Sequence, residues 1–201
     1  SRLIATTNNL QAEKIDSLIH EQLTLSGNLS ATTKVTSLLS NPIVESDLKI
    51  AEGTLLNKQN FDNLALDLSY DYQQQRLTLR EGEMNYKDSS LELKGTMIGR
   101  ELDFNFSSPA LVWEDINFTD KLKELTGSAE VSGSVYGDLD NPKAAAKFSA
   151  QEVQFEQKTI GDLSGRIDYR KQNIYMTDIA VQTATNQYQL NGSFNPQTQE
   201  I

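Results

Sequence analysis

The sequence predicts an all-β fold: a curled, groove- or taco-shaped, mainly antiparallel sheet with an apolar interior and one or two short helices. Three observations predict it, namely a two-residue alternation of apolar and polar side chains, turn-forming residues between the alternating runs, and an internal repeat. Hydrophobic residues make up 37% of the 201 residues, a low share for a globular domain. Such a composition favours a fold that buries only one face of a sheet.

The strands are predicted from the alternation. Leu64, Leu66 and Leu68 alternate with polar or small residues such as Asp67, which is typical of a strand with one apolar and one polar face. The same pattern recurs at 77–79, 91–93, 102–106, 167–169 and 188–190. Turn-forming residues lie between these runs, at 88–90, 99–101, 171–173 and 185–187. Short strands joined by short turns form an antiparallel meander.

Helix signals are confined to two short stretches. Residues 119–125 could form one or two turns, with Thr119 as the N-cap and Gly127 as the stop. Residues 15–21 are a second candidate. We expect such helices to cap or plug part of the sheet.

An internal repeat divides the chain. Asn41-Pro42 recurs as Asn141-Pro142, and the alternating leucines on either side recur with it. The pattern also pairs residues 26–29 with residues 132–135, both of which begin with Ser-Gly. We therefore predict two repeat units, residues 1–107 and 108–201, in one continuous sheet that is a fragment of a longer protein, because stacked repeats bury their apolar faces only against neighbours.

The predicted ligand-binding residues are the apolar side chains on one face of these strands. In the first part of the chain they are Leu48, Ile50, Leu55, Leu64, Leu66, Leu68, Leu77, Leu79, Leu91, Leu93 and Phe104. In the second part they are Phe148, Val153, Phe155, Ile167, Ile174, Met176, Val181 and Leu190. The sequence offers neither a second sheet nor amphipathic helices to cover this face. A long exposed apolar trough is typical of a binding surface.

Composition excludes several function classes. The chain has 18 basic and 28 acidic residues, so that clustered phosphate contacts to nucleic acid are not expected. It has no cysteine and one histidine, His20, which argues against zinc sites and catalytic triads. No nucleophile elbow or phosphate-binding glycine loop occurs. We therefore predict a protein that is not an enzyme and that uses no metal or cofactor.

A few residues have a chemical interpretation that is weaker than the structural one. The stretch Asp138–Asn141 resembles part of a calcium loop but lacks its glycine and closing glutamate, which favours a turn. The acidic residues Glu81, Glu83, Glu114 and Asp115 are interpreted as a solvated face. Trp113, the only tryptophan, is expected to pack in a core rather than to contact a ligand.

Residues 125–142 read LTGSAEVSGSVYGDLDNP. This spacing of glycines before Leu139 and Asn141-Pro142 resembles a recurring stretch of the TamB and AsmA-like family, the bridge-like lipid transfer proteins of diderm bacteria. The resemblance implies a groove-shaped sheet in the periplasm, in a protein anchored to the inner membrane by a segment outside this chain. It also implies phospholipid acyl chains as the ligand and an outer-membrane β-barrel as the partner.

The function predicted on this basis is a segment of a periplasm-spanning groove that carries phospholipid between the inner and outer membranes. The alternative is a β-groove module that binds or helps assemble outer-membrane β-barrel proteins, by accepting a strand at its sheet edge or in its groove. An adhesin of the β-solenoid type would show shorter repeats, near 20–30 residues, and an enzyme would need a catalytic constellation.

Overall fold

The protein is built from β-strands that form two compact units. The computed structural model describes residues 2–11, 25–37, 41–55, 59–115 and 125–195. Unit 1 comprises Ser1–Gly99 and unit 2 comprises Arg100–Ile201. The boundary predicted between residues 107 and 108 falls inside a strand of unit 2, Glu101–Val112.

Unit 1 is an antiparallel sheet whose strands follow chain order. The strands are β1 (Arg2–Gln11), β2 (Asn28–Thr36), β3 (Ile43–Leu55), β4 (Gln59–Asp71), β5 (Arg76–Tyr86) and β6 (Ser89–Ile98).

Unit 2 has the same organisation, again with antiparallel strands in chain order. The strands are β7 (Glu101–Val112), β8 (Leu125–Asp138), β9 (Lys143–Phe155), β10 (Lys158–Arg170), β11 (Asn173–Gln182) and β12 (Gln187–Phe194). A single 3₁₀ turn, Trp113–Asp115, follows β7. The prediction of an all-β, antiparallel fold is confirmed. The helical candidate 15–21 and most of the candidate 119–125 lie outside the described residues, and Leu125 begins β8.

The hairpins use turns that match the twist of the strands. Glu156 and Gln157, between β9 and β10, have φ of 48° and 64°, and Lys171 and Gln172, between β10 and β11, have φ of 50° and 62°. Two successive positive φ angles define the type I′ turn, whose twist continues that of the flanking strands. These polar pairs replace the Asn-Gly or Asp-Gly that usually signals such a turn in a sequence.

The strand plan of unit 1 recurs in unit 2, displaced by about 100 residues. Strands β3 and β9 have the same length, 13 residues, and run from 43 to 55 and from 143 to 155. Gly27 and Gly127 have φ of 125° and 120°, and Glu52 and Glu152 have φ of 51° and 52°. The structure therefore corrects one part of the sequence comparison: residues 26–29 correspond to 126–129, not to 132–135.

Substitution of the matched glycines provides a test of this shared backbone geometry. A Cβ atom at Gly27 would lie 2.8 Å from Cγ2 of Ile50, and one at Gly127 would lie 3.0 Å from the carbonyl oxygen of Gln151. We expect Gly27→Ala and Gly127→Ala each to lower the free energy of unfolding by about 2–3 kcal/mol, because a strained φ is added to a close contact.

The control for these variants is Gly99→Ala, because Gly99 also has a positive φ (58°) but no atom within 4 Å of a Cβ placed on it. Left-handed backbone alone costs about 1–2 kcal/mol, so this variant is expected to be the mildest of the three. Urea-unfolding midpoints at unchanged m-value provide the measurement. Equal losses in all three variants would contradict the role of the close contacts.

The buried cores are small. Among the described residues, the buried hydrophobic side chains of unit 1 are Leu29, Ile50, Phe61 and Leu79, and those of unit 2 are Ala129, Ala150 and Val153. Several large hydrophobic side chains of the described residues, such as Ile167, Met176 and Leu190, are instead exposed. Part of the apolar surface therefore lies outside these cores.

Candidate ligand-binding surface

The apolar face of unit 1 follows from the pairing of its strands. Directly opposed residues of antiparallel strands place their side chains on the same face of the sheet. Leu48 of β3 is opposed to Leu66 of β4, which is opposed to Gly82 of β5, which is opposed to Leu93 of β6. The rows on either side of this one bring Leu, Val, Tyr and Met side chains onto the same face.

The register places nine of the predicted residues on this one face. They are Leu48, Ile50, Leu64, Leu66, Leu68, Leu77, Leu79, Leu91 and Leu93. We call this surface, together with the residues in the same rows of opposed residues on β1–β6, the apolar face of unit 1.

Unit 2 presents the equivalent surface. Phe104 of β7 opens a row that passes through Val135, Ala144 and Tyr169 to Ile174. The parallel rows contain the other predicted residues Phe148, Ile167, Met176, Val181 and Leu190. Phe104, predicted within the first repeat, thus belongs to unit 2. We call this surface the apolar face of unit 2.

Three predicted residues lie beyond an interruption in the strand pairing. Glu52 and Glu152 stand unpaired between their neighbours in the ladders of β3 with β4 and of β9 with β10, and their left-handed backbone shifts the alternation. Leu55 consequently packs against the buried cluster of unit 1. Val153 is buried, whereas Phe155, two residues further on, is 40% exposed.

Several residues of the two faces were missed from the sequence. Leu29 and Phe61 are buried with Ile50, and Met84 packs against them. In unit 2, Leu163 packs against the buried cluster. Leu29 received no signal from the repeat, because the sequence comparison pairs residues 26–29 with residues 132–135, whereas the structural counterpart of Leu29 is Ala129. Leu163 carried a usable signal, because it aligns with Leu64 in the repeat. Phe61 carried none, because its counterpart in unit 2 is Gly161.

Both apolar faces remain partly accessible to solvent. Most of their side chains, such as Leu66 and Leu68, are of intermediate exposure, and the described residues contain no second layer over either sheet. The fifth strand of each unit carries a β-bulge, at residues 80–81 of β5 and around Asp178 of β11. Bulges bend a strand and increase its twist, which brings side chains on one face closer together. Leu79, beside the first bulge, is only 5% exposed.

No described position of either apolar face carries a charge. In the register of β1–β6 and of β7–β12, every residue opposed to a member of these faces is aliphatic, aromatic, Gly, Ser, Thr or Met. The charged residues alternate onto the other side of the sheets. Each face can therefore accept a hydrocarbon chain without burying a charge, which would be costly.

The opposite face of unit 1 carries an ion-pair network. The Lys34 amine lies 2.6 Å from the Glu45 carboxylate, and Arg80 lies 3.4 Å from Glu45 and 2.8 Å from Asp67. The hydrogen bond and charge of Lys34, helped by Arg80, lower the pKa of Glu45. The hydrogen bond from Arg80 to Asp67 raises the pKa of Arg80. The side chains of these pairs are partly exposed, so the pairs stabilise the sheet only weakly, and they mark the charged side of the sheet.

The remaining chemical candidates have structural roles. Asp138 caps its own turn, accepting a hydrogen bond at 2.8 Å from the Asp140 backbone N–H. Trp113 packs against the buried cluster of unit 2, as expected. The interpretation of Asp115 as solvated is wrong, because its side chain is buried at the end of the 3₁₀ turn.

The described ranges contain neither a cluster of metal ligands nor a membrane-spanning helix. Within them no group of His, Cys, Asp or Glu is arranged to hold a metal ion, and His20 lies outside them. Helices long and apolar enough to cross a bilayer are likewise absent from this part of the chain.

Comparison of the chain with protein-family models, with curated proteins and with solved structures yields no match.

Proposed function

We propose that the apolar faces of the two units bind the hydrocarbon chains of lipids, and that this chain is a segment of a groove that carries phospholipid between the inner and outer membranes. The observation that carries the proposal is the uncharged, partly exposed apolar face in each unit. A surface of this kind is rarely left without a ligand, because exposed apolar area is unfavourable in water. The proposed role is binding and transport rather than catalysis.

The chemistry of the faces favours a lipid tail over an extended protein strand. A strand laid across Leu48, Leu66 and Leu93 would bury its N–H and C=O groups against methyl groups. Each such group without a hydrogen-bond partner is destabilising by about 1–3 kcal/mol. An acyl chain has no such groups and gains free energy from each methylene that leaves water, about 0.8 kcal/mol.

The transport part of the proposal rests on the resemblance of residues 125–142 to the TamB and AsmA-like family. That resemblance supports a periplasmic location, an anchor in the inner membrane and an outer-membrane β-barrel partner. The duplicated strand plan supports it further, because a repeated binding face is what a conduit for a long or moving ligand requires.

Site-specific photocrosslinking tests the proposal. Leu93 and Glu92 are adjacent on β6 but point to opposite sides of the sheet, as do Leu190 and Gln189 on β12. Each of the four is replaced in turn by the photoreactive p-benzoylphenylalanine, and the protein is mixed with vesicles of phosphatidylethanolamine and phosphatidylglycerol. After irradiation, intact-mass analysis identifies the product.

We expect addition of one phospholipid at positions 93 and 190 and none at positions 92 and 189. Equal labelling of both sides, or no lipid at 93 and 190 in a folded protein, would reject the proposal. A cross-link from position 93 to a β-barrel protein in whole cells, without lipid, would favour the strand-accepting alternative.

A further inference from the structure

The apolar face of unit 1 contains one hydroxyl pair. Thr33 of β2 is opposed to Ser46 of β3, and their Oγ atoms lie 2.9 Å apart in a hydrogen bond. Both residues are partly exposed. On the same face, Leu68 is opposed to Ser46, and Ala31 and Leu48 form the adjacent row. The two hydroxyls are therefore a polar spot among apolar side chains.

Unit 2 has the same frame without the hydroxyls. The equivalent opposed pair is Gly133 and Ala146, flanked by Val131, Phe148 and Ile167. Neither Gly133 nor Ala146 can donate a hydrogen bond from its side chain. The two faces therefore differ in polarity at a position where the rest of the surroundings are alike.

The pair has hydrogen-bonding capacity that its mutual bond does not use. One hydroxyl donates to the other. The hydrogen of the accepting hydroxyl and several oxygen lone pairs therefore remain available for a hydrogen bond to water or to a ligand. If a plain hydrocarbon displaced water from this spot, that donor would remain unsatisfied, which is unfavourable. A ligand with an acceptor oxygen at the same place avoids the loss. None of the described residues opposed to or beside the pair on this face is a cation, so an uncharged acceptor suits the spot better than a phosphate.

We infer that Thr33 and Ser46 select ester-linked lipids, by donating a hydrogen bond to the ester carbonyl oxygen while the acyl chain lies over the leucines of β3–β6. This inference rests on the proposed function, since it presupposes that the face binds lipid. It adds the chemical class of the ligand and its position in unit 1, and it assigns no such selectivity to unit 2.

Cross-linking from the two faces measures the selectivity directly. The protein carrying p-benzoylphenylalanine at Leu93 or at Leu190 is offered equal amounts of a diester phosphatidylglycerol and its diether analogue with the same chain lengths. The two products differ in mass, so their ratio reports the preference at each face. The ratio at position 190 also corrects for any difference in photochemical reactivity between the lipids.

The diester product is expected to exceed the diether product about fivefold at position 93, relative to position 190, which is the value of one neutral hydrogen bond. The double variant Thr33→Val/Ser46→Ala should bring the two ratios together. Thr32→Val, on the opposite face, should leave the preference intact. Circular dichroism and the urea midpoint verify that each variant is folded.

The outcomes separate the two proposals. Lipid products in equal ratio at both positions would overturn the selectivity and leave lipid binding in place. A fivefold preference that survives in the folded double variant would also overturn it. Absence of any lipid product at both positions would overturn the proposed function, and the inference with it.

Discussion

Leu68→Asp is expected to lower the affinity of the apolar face of unit 1 for an acyl chain by on the order of a hundredfold. Leu68 is partly exposed, so water solvates the new carboxylate when no ligand is bound. An acyl chain would remove that water, and a charge in hydrocarbon costs about 2.5–3.5 kcal/mol on insertion scales. Ile167→Asp, at the matched position of unit 2, is expected to have the same effect there. Titration with vesicles of a fluorescent-tailed phospholipid measures both affinities.

Thr78→Asp is the matched control for Leu68→Asp. Thr78 is opposed to Ser69 and Thr96 and lies on the charged side of the sheet, so a carboxylate there remains in water. Asp67 and Arg166 are less suitable, because each forms an ion pair. Binding that survives in a folded Leu68→Asp protein, or an equal loss in Thr78→Asp, would contradict lipid binding on the apolar face.

Phe61→Ala is expected to lower the free energy of unfolding by about 3–5 kcal/mol, the usual range for removal of a buried aromatic ring. Phe61 is 2% exposed, and its ring covers Gly53, where a Cβ atom would lie only 2.4 Å from Cζ of Phe61. Because small domains are stable by about 5–15 kcal/mol, this is a large fraction of the total. Urea unfolding followed by circular dichroism provides the measurement.

Tyr72→Ala is the control for Phe61→Ala. Tyr72 is 59% exposed and contacts Tyr70 edge to face, with ring centroids 4.9 Å apart. The loss expected there is about 0.5–1.5 kcal/mol, the value of an aromatic pair. A Phe61→Ala protein as stable as the Tyr72→Ala protein would contradict the placement of Phe61 in the core of unit 1.

The side of the sheet on which each leucine lies could be predicted from the sequence wherever the strand is regular. Leu64, Leu66 and Leu68 keep a period of two, and the register places them on one face as predicted. The period fails at Glu52 and Glu152, where a left-handed residue shifts the alternation. Gly and Asn are the residues that usually signal this conformation, so a glutamate gives no indication of it.

Phe61 shows why single-residue matching between repeats misses part of a core. In unit 1 the opposed pair is Gly53 on β3 and Phe61 on β4, whereas in unit 2 it is Val153 on β9 and Gly161 on β10. The larger residue of the pair lies on the fourth strand of unit 1 (β4) but on the third strand of unit 2 (β9). In both units its partner is a glycine. Comparison of opposed pairs would have found the site, but the pairing is known only once the register is known.

The order of the strands has a consequence for how each unit folds. Within a unit each described strand is hydrogen-bonded to the strands that precede and follow it in the sequence, so these pairings form between segments that are close along the chain. Loop-closure entropy is therefore small at each step, and topologies of this kind fold faster than sandwiches with crossing connections. Each unit can grow hairpin by hairpin from any nucleus, and a defect in one strand delays the addition of the next strand without preventing the earlier ones from forming.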